Sequence, residues 1–290
     1  MLTFEQILRD MLFVVNPISG KRSKSRIISR LRDGGYKIAF TEYPGHAEKI
    51  ARDAEENTIV AVGGDGTVNE VARGIMGTDK TLGIIPCGSG DGLALHLGIS
   101  RVYGKALDTV LNGKIHDMDA GTINGKPFFS VCGVGLDAVV SERFAKSGKR
   151  GMVSYITHGL DLVRNYVPEE YEITVDTHVL NCHAVLVTVG NSDQWGNGAR
   201  ITPLADTSDG LLDVTVADGF SLQDFPCLAA LLMTGNLDKS KRVHCYKSKY
   251  IKIIRKHEGP AHADGDWFDA GTEIEIRIIP GSLKVLVPNK

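Results

Sequence analysis

The sequence predicts an α/β domain with a parallel sheet over residues 1–114, joined to a β-rich antiparallel domain over residues 115–290. Two patterns and the length carry that expectation. In the first part, short uninterrupted apolar runs alternate with stretches of helical period, the mark of buried parallel strands covered by helices. Past residue 115, apolar and polar residues alternate singly, the mark of strands with one face in a core. The length of 290 residues fits one large domain or two of ordinary size.

Leu12-Phe13-Val14-Val15, ended by Asn16-Pro17, reads as the first strand. A helix over 21–32 carries Ile27, Ile28 and Leu31 on one side and stops at Gly34-Gly35. Strand 37–41, helix 47–56 and strand 58–62 follow. Gly63-Gly64-Asp65-Gly66 then opens a helix over 67–76. A fourth strand covers 82–85, and 92–97 and 105–111 are helical. In the second part, strands are marked by Tyr171, Ile173 and Val175, by Ile274, Ile276 and Ile278, and by Leu283, Val285 and Val287. Helices are expected over 152–164 and 222–233.

A composition of 42% hydrophobic and 23% charged residues excludes disorder, collagen and coiled coil. Basic and acidic residues nearly cancel at net −2, so nothing global points to nucleic acid and none is expected as a partner. No apolar run approaches the ~18 residues of a membrane span. Glu5, Arg9 and Asp10 break up the first apolar residues, against a signal peptide. The five cysteines are odd in number and never spaced C-x-x-C, which supports neither zinc nor a disulfide framework. A cytoplasmic protein with reduced thiols is expected.

Motifs for phosphate chemistry first enter as exclusions. The Walker loop, the dinucleotide G-x-G-x-x-G after the first strand, the protein-kinase set and the hydrolase G-x-S-x-G are all missing. His257-Glu258 with His262 has the wrong spacing for a zinc protease, and Gly259-Pro260 would break its helix. Three loops remain, each following a predicted parallel strand, where open α/β sheets bind ligands. They are Asn16-Pro17-Ile18-Ser19-Gly20, Gly63-Gly64-Asp65-Gly66-Thr67 and Pro86-Cys87-Gly88-Ser89-Gly90. Glycines admit phosphate oxygens to backbone N–H groups, and a following helix adds its positive end. Ordinary βα turns favour Gly and Asp too; three such loops together favour phosphate.

Val62-Gly63-Gly64-Asp65-Gly66-Thr67-Val68-Asn69-Glu70-Val71 resembles the signature of the diacylglycerol kinase/sphingosine kinase superfamily of lipid kinases. Asn16 to Gly20 and Ile85 to Gly90 match its other nucleotide loops. Gly133 to Ala138, Gly190-Asn191, Pro203 to Asp206 and Asp209 to Asp213 match later motifs in the family's order. The resemblance implies a phosphofructokinase/NAD kinase-like first domain and a lipid-substrate second domain. It implies ATP on Asn16, Pro17, Ser19, Gly20, Thr41, Gly63, Gly64, Asp65, Gly66, Thr67, Asn69, Gly88 and Ser89. It also implies a structural Mg²⁺ on Asp209 and the backbone oxygens of Asp206 and Leu211. The family's general base, a Glu in Asp-Gly-Glu, falls on Asp266 of Asp264-Gly265-Asp266, one methylene shorter. Asp65 is the alternative base or a metal contact, and Asp137 a weaker candidate. Many bacterial members carry Asn-Asp where this chain has Asp91-Gly92. Sphingosine and ceramide kinases also lack an acid at the Gly92 position, so a sphingoid alcohol joins diacylglycerol as a candidate substrate.

The implied activity is ATP- and Mg²⁺-dependent phosphorylation of a lipid's primary hydroxyl. Two alternatives stand beside it: a catalytically weak nucleotide- or lipid-binding regulator, and an NAD kinase-like enzyme acting on a soluble metabolite. Trp195, on a glycine-rich loop, is read as lining a lipid entrance or packing on the sheet, and His46 as a cap or nucleotide neighbour. Residues 239–256 hold eight Lys or Arg and no acid, next to the apolar stretch 222–233. Salt-sensitive contact with an anionic membrane face is therefore expected there. The oligomeric state is left open, a homodimer included.

Overall fold

The four apolar runs of the first part form a parallel sheet: β1 (Met11–Val15), β2 (Lys37–Phe40), β3 (Thr58–Gly63) and β4 (Thr81–Pro86). The computed structural model describes residues 10–19, 24–147, 166–221 and 223–289. β1 pairs with both β2 and β3, and β3 with β4, so the order is β4-β3-β1-β2. Phe13 to Val15 and Ile59 to Val62 are fully buried, as strands covered on both faces must be. The connecting helices are α1 (Ser25–Asp33), α2 (His46–Asp53), α3 (Asp65–Ile75), α4 (Gly92–His96) and α5 (Tyr103–Asn112). They bury Leu31, Ala47 and Ala51, Val71 and Ile75, and Ala106 and Val110. A Cβ on Gly74 would lie 2.5 Å from the Glu48 carbonyl oxygen, so α2 and α3 approach as closely as glycine allows.

The remaining elements are β5 (Lys114–Ile123), β6 (Lys126–Phe128), β7 (Val131–Gly135), α6 (Leu136–Ser147), β8 (Glu169–Val175), β9 (His178–Gly190), β10 (Gln194–Gly196), β11 (Ala199–Arg200), β12 (Leu212–Asp218), α7 (Phe225–Thr234), β13 (Val243–Ser248), β14 (Tyr250–Arg255), β15 (Gly259–Ala263), β16 (Asp266–Ala270) and β17 (Glu273–Val287). From β7 onward the strands pair antiparallel in the order β16-β15-β7-β9-β8-β14-β17, and β12 joins β9 to β13. β9 organises this sheet. Its first half pairs with β8 and its second half with β7, while β12 runs along its other edge. Its first half alternates between exposed and half-buried, and its second half is wholly buried. Val187 and Val189 enter one core with Val214 and Ile253; Val185 and Leu186 enter another with Leu136 and Val140.

Two compact units result, Met1–Met118 with Gly281–Lys290, and Asp119–Pro280. This departs from a division at 114/115 chiefly at the end of the chain. Lys284 and Val285 of β17 pair in parallel with Thr81 and Leu82, completing the β4 edge that a sheet built from residues 1–114 alone would leave open. The expected helix at 222–233 is found three residues later as α7. Ser221 donates its N–H and hydroxyl to Asp224 Oδ2 (2.9 and 3.0 Å), and Pro226 then occupies the first turn. The expected helix over 152–164 lies outside the described residues. Among those described, no helix is long and apolar enough to cross a membrane.

Candidate functional site

The order β4-β3-β1-β2 places the chain reversal between β1 and β3, and parallel pairing brings all four C-terminal strand ends to one edge. That is where doubly wound sheets bind ligands. Asn16, Pro17 and Ser19 follow β1, Thr41 follows β2, Gly63 to Asn69 run from β3 into α3, and Gly88 and Ser89 follow β4. Gly20 lies outside the described residues. Asn16 N–H donates to the Val62 carbonyl (3.2 Å), Thr41 N–H to Val15 (3.0 Å) and Cys87 N–H to Gly63 (2.7 Å). The loops are thus tied to one another. Gly64 and Gly88 meet so closely that a Cβ on Gly88 would lie 2.7 Å from Gly64 Cα. Ser19 is held by Lys24, a buried lysine whose ammonium donates to the Ser19 carbonyl and, at 3.0 Å, to its hydroxyl. Thr67 Oγ1 is buried at the start of α3 without a hydrogen-bond partner. An orphaned hydroxyl and a helix N-terminus behind a glycine cradle fit a phosphate.

Asp65 caps a neighbouring helix from within this site. Its Oδ2 accepts the Asp91 N–H (2.8 Å) and its Oδ1 the Gly92 N–H (2.7 Å), both at the start of α4. Asp91, at φ 47°, accepts the Gly88 N–H (2.8 Å) and pairs with Arg101 Nε (3.1 Å). Arg101 also donates to the Ser89 and Gly90 carbonyls, so it holds the third loop from outside. Burial, and then the Asp65 charge, push the Asp91 carboxyl up to about 6, against the Gly88 N–H and Arg101. Each Asp65 oxygen keeps a second acceptor position for a ligand.

In the second unit, Asp264-Gly265 forms the two-residue loop of the β15–β16 hairpin. Both residues have positive φ, 50° and 86°, as a type I′ turn requires. The Asp264 carboxylate accepts the N–H groups of Phe129, Ser130 and Val131 at 2.8–3.0 Å. Burial still pushes it up to about 6. Asp266 is the exposed first residue of β16, paired across the hairpin with Ala263. Asp137, at the start of α6, is buried. Its Oδ1 accepts the Ala138 N–H (2.8 Å), and its Oδ2 accepts the Thr188 hydroxyl (2.5 Å) and faces His262 Nε2 (3.1 Å).

The residues implied for Mg²⁺ lie just before β12. Asp206 Oδ1 accepts the N–H and hydroxyl of Ser208, and Asp209 Oδ1 accepts the Leu211 N–H (3.0 Å). Asp209 Oδ2 is paired with the Lys247 ammonium at 2.6 Å, and Lys247 reaches Asp213 Oδ2 at 3.3 Å. Burial pushes the Asp213 carboxyl up to about 6 despite that lysine. As it stands, the group holds an internal ammonium where a hard cation would bind. A metal on Asp209 fits only with Lys247 withdrawn. Among the described residues, no group of three or more His, Cys, Asp or Glu side chains forms a metal cluster.

Five of the eight basic residues of 239–256 are engaged. Lys239 bonds Asn236, Arg242 pairs with Asp224 (3.5 Å), Lys247 with Asp209, and Lys252 with Glu273 (2.8 Å). Arg255 is buried, donating to the carbonyls of Gly259, Pro260, Ala270 and Gly271. Less free charge faces solvent than the sequence suggests. Trp195 is partly exposed on β10. His46 accepts the Glu42 N–H through Nδ1 and stacks on Tyr43.

Residues 10–123 match the diacylglycerol kinase catalytic domain, and residues 130–287 match the YegS C-terminal NAD kinase beta sandwich-like domain. The chain belongs to the diacylglycerol kinase superfamily of lipid kinases. It is a phosphotransferase with an alcohol group as acceptor. A diacylglycerol kinase of Bacillus subtilis is 28% identical over 268 residues, covering 88% of both chains. "Probable lipid kinase YegS" of Salmonella arizonae is 29% identical over 292 residues, covering 96% of both. A solved structure from Bacillus anthracis str. Sterne shares the fold, with TM-score 0.80 over 96% of both chains at 24% identity.

Several residues that shape this lipid kinase are not legible as motifs. Glu70 accepts the Gly45 and Ala47 N–H groups (2.9 and 3.0 Å), capping α2 from α3. Its place in the signature around Asp65 was visible; its target was not. Arg101 and His262 act on loops through partners fixed only by the fold, and Lys24 stands four residues past its motif.

Proposed function

We propose that this protein transfers the γ-phosphoryl group of ATP to the primary hydroxyl of a membrane lipid, diacylglycerol or a sphingoid base. The observation that carries it is the joined set of loops after β1, β3 and β4, with the orphaned Thr67 hydroxyl at the N-terminus of α3. Asn16, Ser19, Thr41, Gly63 to Asn69, Gly88 and Ser89 hold the nucleotide, their N–H groups and the helix end facing phosphate oxygens. Asp266 accepts the hydroxyl proton. The lipid oxygen then bonds to the γ-phosphorus, the bond to the β-phosphate bridging oxygen breaks, and ADP leaves. Mg²⁺, when bound, supplies neutralisation of phosphate charge.

A second reading, a regulator that binds nucleotide with little turnover, is favoured by Lys247 on Asp209. One experiment separates them: incubation with labelled ATP and a panel of diacylglycerol, sphingosine, ceramide, undecaprenol and NAD. A labelled lipid supports the kinase. Labelled NAD alone would overturn it, and ATP binding without any product selects the regulator.

A further inference from the structure

We propose that His262 is a positioning residue that clamps the hairpin turn bearing Asp266, and that the buried Asp137 fixes its tautomer for that task. This rests on Asp266 acting as the base. His262 and Asp137 are 2% and 5% exposed, and they come from strand β15 and the start of helix α6. An ionised carboxylate only accepts, so the proton between Asp137 Oδ2 and His262 Nε2 (3.1 Å) sits on Nε2. The other ring nitrogen, Nδ1, is then bare, and it receives the Gly265 N–H (3.3 Å). Gly265 is the second loop residue, directly before Asp266.

The two loop residues are therefore held from different places. Asp264 is fixed by the N–H groups of Phe129, Ser130 and Val131, and the Gly265 N–H is taken up by His262. Asp266 is tied to Ala263 across the ladder, so the second hold sets how the Gly265 peptide, at φ 86°, enters that pair. A misplacement of about 1 Å in a catalytic group costs ~100-fold in rate. A carboxylate one methylene short of a Glu has no spare reach to absorb it. Thr188 donates to the same Asp137 oxygen that His262 faces.

Two readouts on the full chain test the clamp: ¹H–¹⁵N NMR of His262 and the Gly265 amide, and turnover of dioleoylglycerol micelles with labelled ATP, with sphingosine replacing dioleoylglycerol if it gives no product. Wild type should show the Nε2–H tautomer; the Nδ1–H tautomer overturns the proposal. His262→Gln can still reach Asp137 but withdraws the acceptor from Gly265. Its Gly265 exchange should rise about tenfold or more, and kcat should fall roughly 10–100-fold with KM for ATP unchanged. His262→Asn places an amide oxygen near the Nδ1 position and should recover kcat to within about threefold of wild type.

The double variant His262→Gln/Asp266→Asn should be no slower than Asp266→Asn, because both act through one group. Equal losses in the Gln and Asn variants, or additive losses in the double variant, would reduce His262 to a core residue and refute the clamp. If Asp266→Asn is slow while His262→Gln is not, the clamp fails and the base assignment stands. If Asp266→Asn turns over like wild type, the base assignment fails, and unchanged Gly265 exchange in His262→Gln would remove the clamp as well.

Discussion

Replacing Asp65 with alanine removes more than a charge from the loop after β3. The carboxylate is the acceptor for two N–H groups, Asp91 at 2.8 Å and Gly92 at 2.7 Å, in a part of the chain where Asp91 is only 4% exposed. A hydrogen bond to a charged acceptor contributes about 1.5–3 kcal/mol, so the two together contribute roughly 3–6 kcal/mol. One effect opposes the loss. The Asp65 charge is the second cause of the raised Asp91 carboxyl, and its removal relieves that repulsion. The net expectation is a loss toward the lower end of that range, on the order of 10 °C in melting temperature. Asp65→Asn should fall between, since one amide oxygen still accepts while the amide nitrogen opposes the second donor. The pH dependence carries a further signature. Burial, and then the Asp65 charge, hold the folded carboxyl of Asp91 up at about 6, above the ordinary aspartate value of 3.8. Its contribution is therefore fully present below about 4 and is lost as pH rises through 6. Between pH 5 and 7.5 wild type should lose stability through Asp91, and Asp65→Asn should lose less. Urea and thermal unfolding at the two pH values, with ATP binding measured alongside, check this. An Asp65→Ala protein melting within about 2 °C of wild type would refute the capping role, whatever its activity.

Asp266→Asn should keep ATP binding and cut turnover by roughly 10²–10⁴-fold, whereas Asp266→Glu, restoring the family's length, should retain activity in the same labelled-ATP assay. Lys247→Met leaves Asp209 and Asp213 without their ammonium; millimolar Mg²⁺ should then raise the melting temperature of the variant more than that of wild type, and equal shifts would count against a cation site at Asp209. Gly74→Ala should destabilise by about 1–3 kcal/mol because its Cβ meets backbone rather than a movable side chain, as read by urea unfolding. Vesicle co-sedimentation should show weak, salt-sensitive binding to anionic lipid that falls in Lys241→Glu/Lys249→Glu, two exposed lysines of the basic segment; equal binding to neutral vesicles would remove the electrostatic idea.

The parallel sheet was legible because each strand is a short apolar run bounded by its own loop, so local sequence and final environment agree. The loops after β1, β3 and β4 were legible as βα turns for the same reason, each being a few consecutive residues. Partnerships that close only in the fold were not. Asp65 was readable as an acid among glycines, but not as the cap of a helix 27 residues on. Asp264-Gly265-Asp266 was read for chemistry, although Asp-Gly is equally a hairpin signal, and the structure makes it that hairpin. Asp137 and His262 lie 125 residues apart, and no spacing rule connects them. The basic stretch 239–256 looked like a charged surface because its acidic partners, Asp209, Asp224 and Glu273, lie outside it.

The strand β17 imposes a schedule on biosynthesis. Its last residues pair with β4, Gly77 N–H donates to the Ser282 carbonyl at 2.8 Å, and the Asn289 side chain donates to the Asn112 carbonyl at 2.6 Å. A ribosome that has released residues 1–118 has therefore not yet made the strand that seals their sheet. About 160 further residues must be synthesised first, which at about 5–20 residues per second takes roughly 8–30 s. For that interval the nascent first unit carries an open parallel edge of apolar strands, a template for wrong pairing. Chains stalled or cleaved before residue 281 should therefore be the aggregation-prone species, and a holdase should bind translation intermediates of this protein rather than its finished form.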